Sequence, residues 1–279
     1  MESITDVFSN GLKTVLNNLV LFGPAIIMSF IMFIPVLVYI AAILTAFFVF
    51  AYELIEIGVI IILISTLCFA LFALLASAFL TGGQIGMAME ATSTGKTTLD
   101  HFTHYGKKFL RRIFSILIIN LLIHAAALVF WIPIFYAMYN FALPVSDLVN
   151  RSIVEFYLMF PLPILIGVIL TIIYEIIVFA LFFFVSYNTV VDDLSVIRSY
   201  KKSASLMKEK TSQILLFICI YFLIMFLVWI FIGMIGLVVS FMSSILSLIF
   251  AVVSTVWITR YYMAITEKQI YVEEKITNY

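Results

Sequence analysis

Charged side chains are scarce in this sequence. Asp, Glu, Lys and Arg supply 11% of its 279 residues, whereas hydrophobic residues supply 65%. A water-soluble domain is typically about one quarter charged and about half apolar. A chain of this length cannot hide so much apolar surface in a water-soluble core, so we expect most of it to lie in a bilayer.

Cysteine is nearly absent, and there is no surplus of either charge. Cys68 and Cys219 lie inside long apolar runs, where a thiol usually packs as a small hydrophobe, so we expect no disulfide and no metal site. The 15 Lys and Arg residues balance the 15 Asp and Glu residues. We therefore expect no nucleic-acid partner and no cofactor. The start, MESITD, lacks the cationic segment and cleavage site of a secretory signal, so we expect the first apolar segment to be retained.

Long apolar runs dominate what remains. Six of them reach the roughly 20 residues that one helix needs to cross a bilayer. The sequence therefore predicts an all-α, polytopic protein with one membrane domain over residues 1–279 and a short tail at 267–279. The predicted membrane segments lie near residues 20–50, 57–89, 113–141, 157–190, 212–236 and 240–265.

The few charges are unevenly placed between these segments. Fourteen of the fifteen Lys and Arg residues fall on one side of the predicted threading, and only Arg151 falls on the other. Loops rich in Lys and Arg remain in the cytoplasm. We therefore expect a multi-pass protein of the cell membrane with both termini in the cytoplasm.

A short stretch with helical spacing of apolar residues precedes each pair of membrane segments. The three stretches are SITDVFSNGLKTVLNNLV, TTLDHFTHYGKKFLRRIF and DDLSVIRSYKKSASLMKEK. They predict three parallel repeats, each made of an amphipathic interfacial helix and a transmembrane hairpin, over about 1–94, 95–190 and 191–266.

Each of these predicted helices has a candidate N-cap. Ser3 and Asp6 have the spacing of a capping box. Thr97 or Thr98 would cap the second helix, and Asp193 the third. In the third helix, Leu194, Ile197, Tyr200, Ala204 and Met207 are predicted to share the apolar face.

The polar sides of the second and third helices are basic. In one interpretation the helices only fix the angle at which each hairpin meets the membrane. In the other, their cations bind anionic lipid headgroups, each contributing roughly 1 kcal/mol. The headgroup candidates are Lys107, Lys108, Arg111, Arg112, Arg198, Lys201 and Lys202.

One tripeptide imitates a nucleotide-binding motif. Gly95-Lys96-Thr97 matches the end of a phosphate-binding loop, G-x-x-x-x-G-K-[ST]. Glu90 occupies the position of the first glycine, and an apolar helix precedes the motif in place of a strand. We therefore expect no nucleotide binding, and interpret Gly95 as a helix stop. Gly82 and Gly86 form a G-x-x-x-G that predicts close helix approach.

Three polar residues lie deep in the predicted membrane segments. Asn120 and His124 are in the third segment and Glu175 is in the fourth. Ionisable residues at that depth are costly and face protein or water. His124 and Glu175 are at similar predicted depths, so we expect them to pair. The pair is either a functional site, proton-linked in a transporter, or a neutral contact that fixes helix packing, with Tyr174 as a neighbour.

Two stretches carry a resemblance. GGQIGMAMEATSTGKTTLDHFTHYGKKFLRR and VDDLSVIRSYKKSASLMKEK resemble a broad group of archaeal and bacterial proteins with six membrane helices. That group is related to the membrane domain of some glycerophosphodiester phosphodiesterases. Its pattern has acidic residues followed by a basic helix with K-[RK]-S, matched here by Lys201, Lys202 and Ser203. The resemblance implies six helices and a lipid context, and implies no catalytic residues.

Three function classes remain. The basic interfacial helices and the lack of a catalytic set of residues favour a non-catalytic scaffold or lipid-associated component. Its partners would be membrane lipids and other membrane proteins. A transporter, channel or lipid-moving protein would use Glu175 and His124. An intramembrane enzyme has no supporting set of residues in the sequence. A water-accessible cavity that reaches Glu175 would favour transport, whereas a closed bundle would favour the scaffold.

Overall fold

The computed structural model describes residues 2–52, 54–132, 135, 161–236 and 240–271. Every regular element within these ranges is helical, as predicted. Two short 3-10 helices, Leu19–Phe22 and Ala126–Trp131, adjoin the α-helices. The α-helices are α1 Ile4–Asn17, α2 Gly23–Ala51, α3 Ile55–Thr94, α4 Leu99–Ala125, α5 Pro161–Phe182, α6 Val185–Val191, α7 Val196–Glu209, α8 Thr211–Gly236 and α9 Ser240–Ile265.

Within the described residues, six helical segments are long and apolar enough to cross a membrane, in agreement with the predicted number. Many large apolar side chains on them are exposed, as expected of helices surrounded by lipid. Parts of the predicted 113–141 and 157–190 segments fall outside the described residues. The six segments are Leu19–Ala51, Ile55–Thr94, Leu99–Trp131, Ile164–Val191, Thr211–Met234 and Ser243–Ile265.

The packed core lies at one end of the bundle. We call this the basic end, because it carries the α3–α4 and α6–α7 connections. Its largest fully buried side chains are aromatic, with the Phe217 and Tyr261 rings stacked at a centroid distance of 3.8 Å. The last membrane segment has the highest buried share of the six, so α9 is the central element of this core.

Glycines bring α3 against α4. A Cβ atom on Gly83 would lie 2.2 Å from the Phe102 ring, and one on Gly86 would lie 2.2 Å from the Tyr105 ring. No larger residue fits at these two positions without displacing the neighbouring helix. The close approach predicted from the G-x-x-x-G is therefore present, and Gly83 extends it.

Helix α1 packs against α9. The Ser3 hydroxyl accepts a hydrogen bond from the Asp6 amide at 3.1 Å, so the predicted cap is confirmed. Val7, Gly11 and Val15 are one turn apart and buried. Gly11 lies under Trp257 of α9, and the indole Nε1 of Trp257 donates to the Phe8 carbonyl at 3.0 Å.

The inward face of α7 matches the predicted one only in part, because Tyr200 and Met207 pack against the core whereas Ile197 does not. Ile197 is 70% exposed, whereas Ser199, Ser203 and Leu206 are buried. The reason is that serine side chains are small, so α7 can approach α6 closely. Their hydroxyls also form hydrogen bonds with polar groups of α6 and the end of α5. Asp193 is not the N-cap, which is Ser195.

The three predicted repeats differ in the structure. The first and third begin with separate short helices, α1 and α7, whereas the second begins within the unbroken helix α4. Helical spacing predicts a shared apolar face there, of which Phe102, Phe109 and Ile113 are buried and Leu99 is 40% exposed. The repeat arrangement itself stays a prediction.

Candidate functional site

A contact between two ionisable side chains within the membrane segments joins α4 to α5. Nδ1 of His124 lies 2.5 Å from Oε2 of Glu175, so the two predicted partners do meet. Their side chains are 48% and 36% exposed, respectively. The hydroxyl of Tyr174 donates to the Ile123 carbonyl at 2.7 Å, which fixes the two helices beside the pair.

Asn120 has a different partner from the His124–Glu175 pair. Its Oδ1 accepts a hydrogen bond from the Tyr200 hydroxyl at 2.6 Å, which connects α4 to α7. Burial raises the pKa of Tyr200 to about 12, so this hydroxyl keeps its proton at neutral pH. Asn120 lies one helical turn from His124 and on the same side of α4.

A cleft of about 440 Å³ adjoins these residues. Asn120 and His124 form one wall, and Tyr187 of α6 and Tyr221 of α8 form another. Phenylalanines close the rest. The Tyr221 hydroxyl also shares a hydrogen bond of 2.7 Å with Ser254 of α9. The cleft thus reaches one member of the ionisable pair without enclosing it.

A second polar group, centred on Asp192, lies at the basic end, and its geometry could not be predicted from the sequence. Asp192 follows α6 and pairs with Lys202 at 2.7 Å and with Lys268 at 2.8 Å. The Tyr262 hydroxyl also donates to it. Burial raises the pKa of Asp192, but the hydrogen bonds from Lys202, Lys268 and Tyr262 outweigh it and hold the pKa below its ordinary value. We call these four residues the Asp192 clamp.

Ser203 sits beside the clamp and stabilises the break between α5 and α6. Its hydroxyl donates to the Leu181 carbonyl at 2.8 Å and accepts from the Phe184 amide at 3.3 Å. A helix break leaves backbone groups without partners, and Ser203 satisfies two of them. Two of the three residues of the Lys201-Lys202-Ser203 motif, Lys202 and Ser203, therefore form contacts that stabilise the fold itself.

Asp193 points the other way and connects to α4. It pairs with Lys108 at 2.8 Å and with Arg112 at 2.5 Å, and these cations lower its pKa. Three of the seven headgroup candidates, counting Lys202, thus have carboxylate partners inside the protein. The other four are exposed, and no carboxylate partners them within the described ranges. They are Lys107, Arg111, Arg198 and Lys201.

A family comparison covers nearly the whole fold. The model described as "Domain of unknown function (DUF7847)" matches residues 3–265. The chain belongs to this family. No curated protein and no solved structure matches it. Six apolar helices agree with the layout expected from the resemblance, and the relation to phosphodiesterase membrane domains stays a prediction.

In this DUF7847 protein the Gly95-Lys96-Thr97 turn is bound by the chain itself. Gly95 has φ 79° and ends α3, as predicted. The Asn18 side chain donates to the Gly95 carbonyl at 3.0 Å and accepts from the Thr97 amide at 3.1 Å. Thr98 is the N-cap residue of α4, although its side chain makes no capping bond. The Thr97 amide, which a phosphate-binding loop would offer to a ligand, is thus already paired.

No group of three or more His, Cys, Asp or Glu side chains suited to a metal ion occurs in the part of the chain that the structure describes. Asn18 and Asp192 are two of the residues whose structural roles sequence reasoning missed. The one sequence feature that could have indicated them is their position near helix ends, where polar residues often cap a helix or bond a neighbouring segment.

Proposed function

We propose that this protein is a non-catalytic membrane component whose basic end binds anionic lipid headgroups in the cytoplasmic leaflet. The proposal rests on four exposed cations that have no carboxylate partner among the described residues. Lys107 and Arg111 lie on α4, and Arg198 and Lys201 lie on α7. The proposal keeps both termini in the cytoplasm, because the cation-rich connections belong on that side.

The four cations occupy one end of the bundle. Lys107 and Arg111 are four residues apart, so they lie on one side of α4. The ion pairs from Asp193 to Lys108 and Arg112 attach the start of α7 to α4. Arg198 is therefore held near the α4 cations.

An exposed apolar residue lies among these charges. Ile197 is 70% exposed beside Arg198. Apolar side chains next to cations are typical of helices at the membrane interface, where the apolar group enters the acyl region and the cation meets the headgroups. Four free cations would contribute roughly 1 kcal/mol each near an anionic surface. The resemblance to a membrane domain of lipid-handling enzymes is consistent with this role, and other membrane proteins are a second class of partner.

The test is lipid retention by the purified protein. Native mass spectrometry after reconstitution with mixed phosphatidylglycerol and phosphatidylcholine should find phosphatidylglycerol enriched. The enrichment should fall in the double variant Lys107→Gln/Arg111→Gln and in Arg198→Gln/Lys201→Gln. The exposed pair Lys13→Gln/Lys96→Gln removes the same charge from the same end of the bundle but outside α4 and α7, and should keep it. Equal losses in all three double variants would contradict the proposal.

A second candidate function rests on the contact between His124 and Glu175. An ionisable pair beside a cleft in the membrane region suits proton-coupled transport. Glu175→Gln keeps a hydrogen-bonding group of the same size but cannot release a proton. Under this candidate it abolishes proton flux in reconstituted vesicles without changing folding. Absence of flux in the unaltered protein, or flux that is unchanged in Glu175→Gln, removes the candidate.

A further inference from the structure

The cleft beside His124 is enclosed by several helices. Its lining residues come from α4, α5, α6, α8 and α9, and its volume is about 440 Å³. This volume lies within the range of roughly 300–1,000 Å³ that is typical of small-molecule sites. The cleft is therefore large enough to receive an organic ligand between the helices.

The cleft contains hydrogen-bonding groups that the protein leaves unused. Within the described ranges, Nδ2 of Asn120 and Nε2 of His124 have no protein partner, and neither do the hydroxyls of Ser186 and Tyr187. Polar groups in an apolar region are costly unless a ligand or water satisfies them. A hydrocarbon chain in the cleft would leave all four groups unpaired. The amide of Asn120 and the two hydroxyls can donate, so they suit a ligand with oxygen acceptors.

The lining of the cleft carries no fixed charge. Its described residues include no Asp, Glu, Lys or Arg. Glu175 contacts His124 but does not itself line the cleft. A charged group brought into the membrane region without a partner of opposite charge is costly. The cleft therefore suits an uncharged ligand, which excludes phosphate, carboxylate and ammonium headgroups.

Aromatic rings supply most of the apolar lining. Six of the eleven residues that line the cleft are Phe or Tyr. The rings of Phe179 and Phe222 meet across α5 and α8 at a centroid distance of 5.2 Å. Aromatic rings bind flat unsaturated rings well, because such rings can stack on their faces or meet their edges. The lining therefore favours a planar ring as the body of the ligand.

Two of the polar groups lie below the level of phospholipid esters. Asn120 and His124 follow Arg112, at the basic end, by about 12 and 18 Å at 1.5 Å per residue. The hydrocarbon core of a bilayer is about 30 Å thick, so each leaflet contributes about 15 Å, and ester groups belong to the interface outside it. A ligand that bonds these residues must therefore carry its oxygen atoms into the hydrocarbon region.

We propose that the cleft binds the head of a membrane quinone, which is an uncharged planar ring with carbonyl oxygens and an apolar tail. The ring lies among the phenylalanines, and its carbonyl oxygens accept hydrogen bonds from Asn120 and Tyr187. The site uses none of the four cations assigned above to headgroup binding. It also does not require the His124–Glu175 pair to carry protons, so each of these proposals can fail without the others.

Two variants test the site, each with a matched control. Tyr187→Phe removes only an unpartnered hydroxyl from the cleft, and Tyr52→Phe makes the same change at a residue that is 77% exposed and outside the cleft. Ser186→Leu fills part of the cleft. Ser29→Leu makes the same change on an exposed position of α2.

The experiment uses the full chain in nanodiscs that contain a photoreactive naphthoquinone with an azide on the ring and an isoprenoid tail. After photolysis, peptide mass spectrometry should place the adducts on residues of the cleft. The adduct yield should fall about two- to tenfold in Tyr187→Phe and about tenfold in Ser186→Leu. It should stay unchanged in Tyr52→Phe and Ser29→Leu.

Competition identifies the part of the ligand that is recognised. An excess of the naphthoquinone without the azide should prevent the adducts. The isoprenoid alcohol with the same tail should not, because it lacks the ring. Diacylglycerol, an uncharged lipid with ester carbonyls, should not compete either.

Three results would overturn the proposal. One is labelling that excess naphthoquinone does not reduce, which indicates unselective partition into the bilayer. Another is equal competition by the isoprenoid alcohol or by diacylglycerol, which indicates a site for lipid chains or esters. The third is an unchanged yield in Tyr187→Phe, and this variant keeps the proposal testable even if Ser186→Leu fails to fold.

Discussion

Arg260, near the end of α9, binds the carboxylate of Glu2, which lies two residues before α1. Nε of Arg260 lies 2.9 Å from Oε2 and Nη2 lies 2.8 Å from Oε1, so the guanidinium binds both oxygens. Arg260 is only 2% exposed, and Asn10 donates a further hydrogen bond of 2.7 Å to Glu2. The ion pair thus connects the two ends of the fold within its buried part.

The first prediction concerns this pair. Glu2→Ala leaves a buried guanidinium without its carboxylate, and we expect it to lower the free energy of unfolding by about 3–5 kcal/mol. Adding Arg260→Leu should recover part of the loss, because no buried charge then remains unpaired. Both free energies of unfolding can be measured by unfolding the variants in detergent and monitoring tryptophan fluorescence. A loss in Glu2→Ala below that of the exposed control Glu209→Ala would contradict it.

The second prediction contrasts two glycines. A Cβ atom on Gly11 would lie 2.5 Å from Cδ1 of Trp257, whereas one on Gly233 meets nothing within 4 Å. Gly11→Ala should therefore destabilise the protein by about 1–3 kcal/mol and shift the emission of Trp257. Gly233→Ala should be neutral or stabilise by up to about 1 kcal/mol, because alanine favours helix. The same unfolding measurement in detergent compares the two variants, and equal effects would contradict the packing described.

The third prediction concerns the break between α5 and α6. Ser203→Ala removes the partner of the Phe184 amide and of the Leu181 carbonyl, which we expect to cost about 1–3 kcal/mol. Hydrogen exchange should increase at Phe184. Ser205→Ala is the control on the exposed side of the same helix and should cost less than about 0.5 kcal/mol. Unchanged exchange at Phe184 would show that Ser203 does not hold the break.

The fourth prediction is a dependence of stability on pH. The folded pKa of Asp192 lies below its unfolded value of about 3.9, so its ion pairs stabilise the fold fully above that value. The stabilisation is lost as pH falls through the folded pKa. The unfolding midpoint should therefore stay level from neutral pH to about 5 and drop below about 4.

The matching variant is Asp192→Asn. It should lower the midpoint at neutral pH, because Lys202 and Lys268 lose their anion, and it should reduce the further drop in acid. Asp193→Asn is the comparison, since that carboxylate is half exposed and its ion pairs contribute at most about 1 kcal/mol. An acid drop in Asp192→Asn as steep as in the unaltered chain would refute the role of Asp192.

The membrane architecture could be predicted because long apolar runs have few alternatives in a bilayer. The caps at Ser3 and Gly95 also followed from residue type, since each acts through its own neighbours. The face of α7 could be predicted only in part from its apolar residues, since Tyr200 and Met207 pack inward but Ile197 does not. In lipid, Ile197 is as stable outside as inside, and hydrogen bonds of Ser199 and Ser203 decide which side turns inward.

The candidate site likewise has one contact that could be predicted from the sequence and others that could not. The His124–Glu175 contact followed from matching depths, because two isolated ionisable groups in an apolar region each need a partner. The Asp192 clamp joins residues about 70 positions apart across three connections, and no local pattern encodes such a meeting. Arg260 looked like one more cation near a helix end, and only packing against α1 reveals that it is buried.

The segment after α9 has a practical bearing on how the protein is produced. Lys268 belongs to the Asp192 clamp, and the Tyr271 amide donates to the Thr92 carbonyl at 2.7 Å. Both residues lie beyond position 265, where the family match ends. A shortened chain designed from that boundary would lose one of the two lysines of Asp192, so truncation and affinity tags should begin after Tyr271.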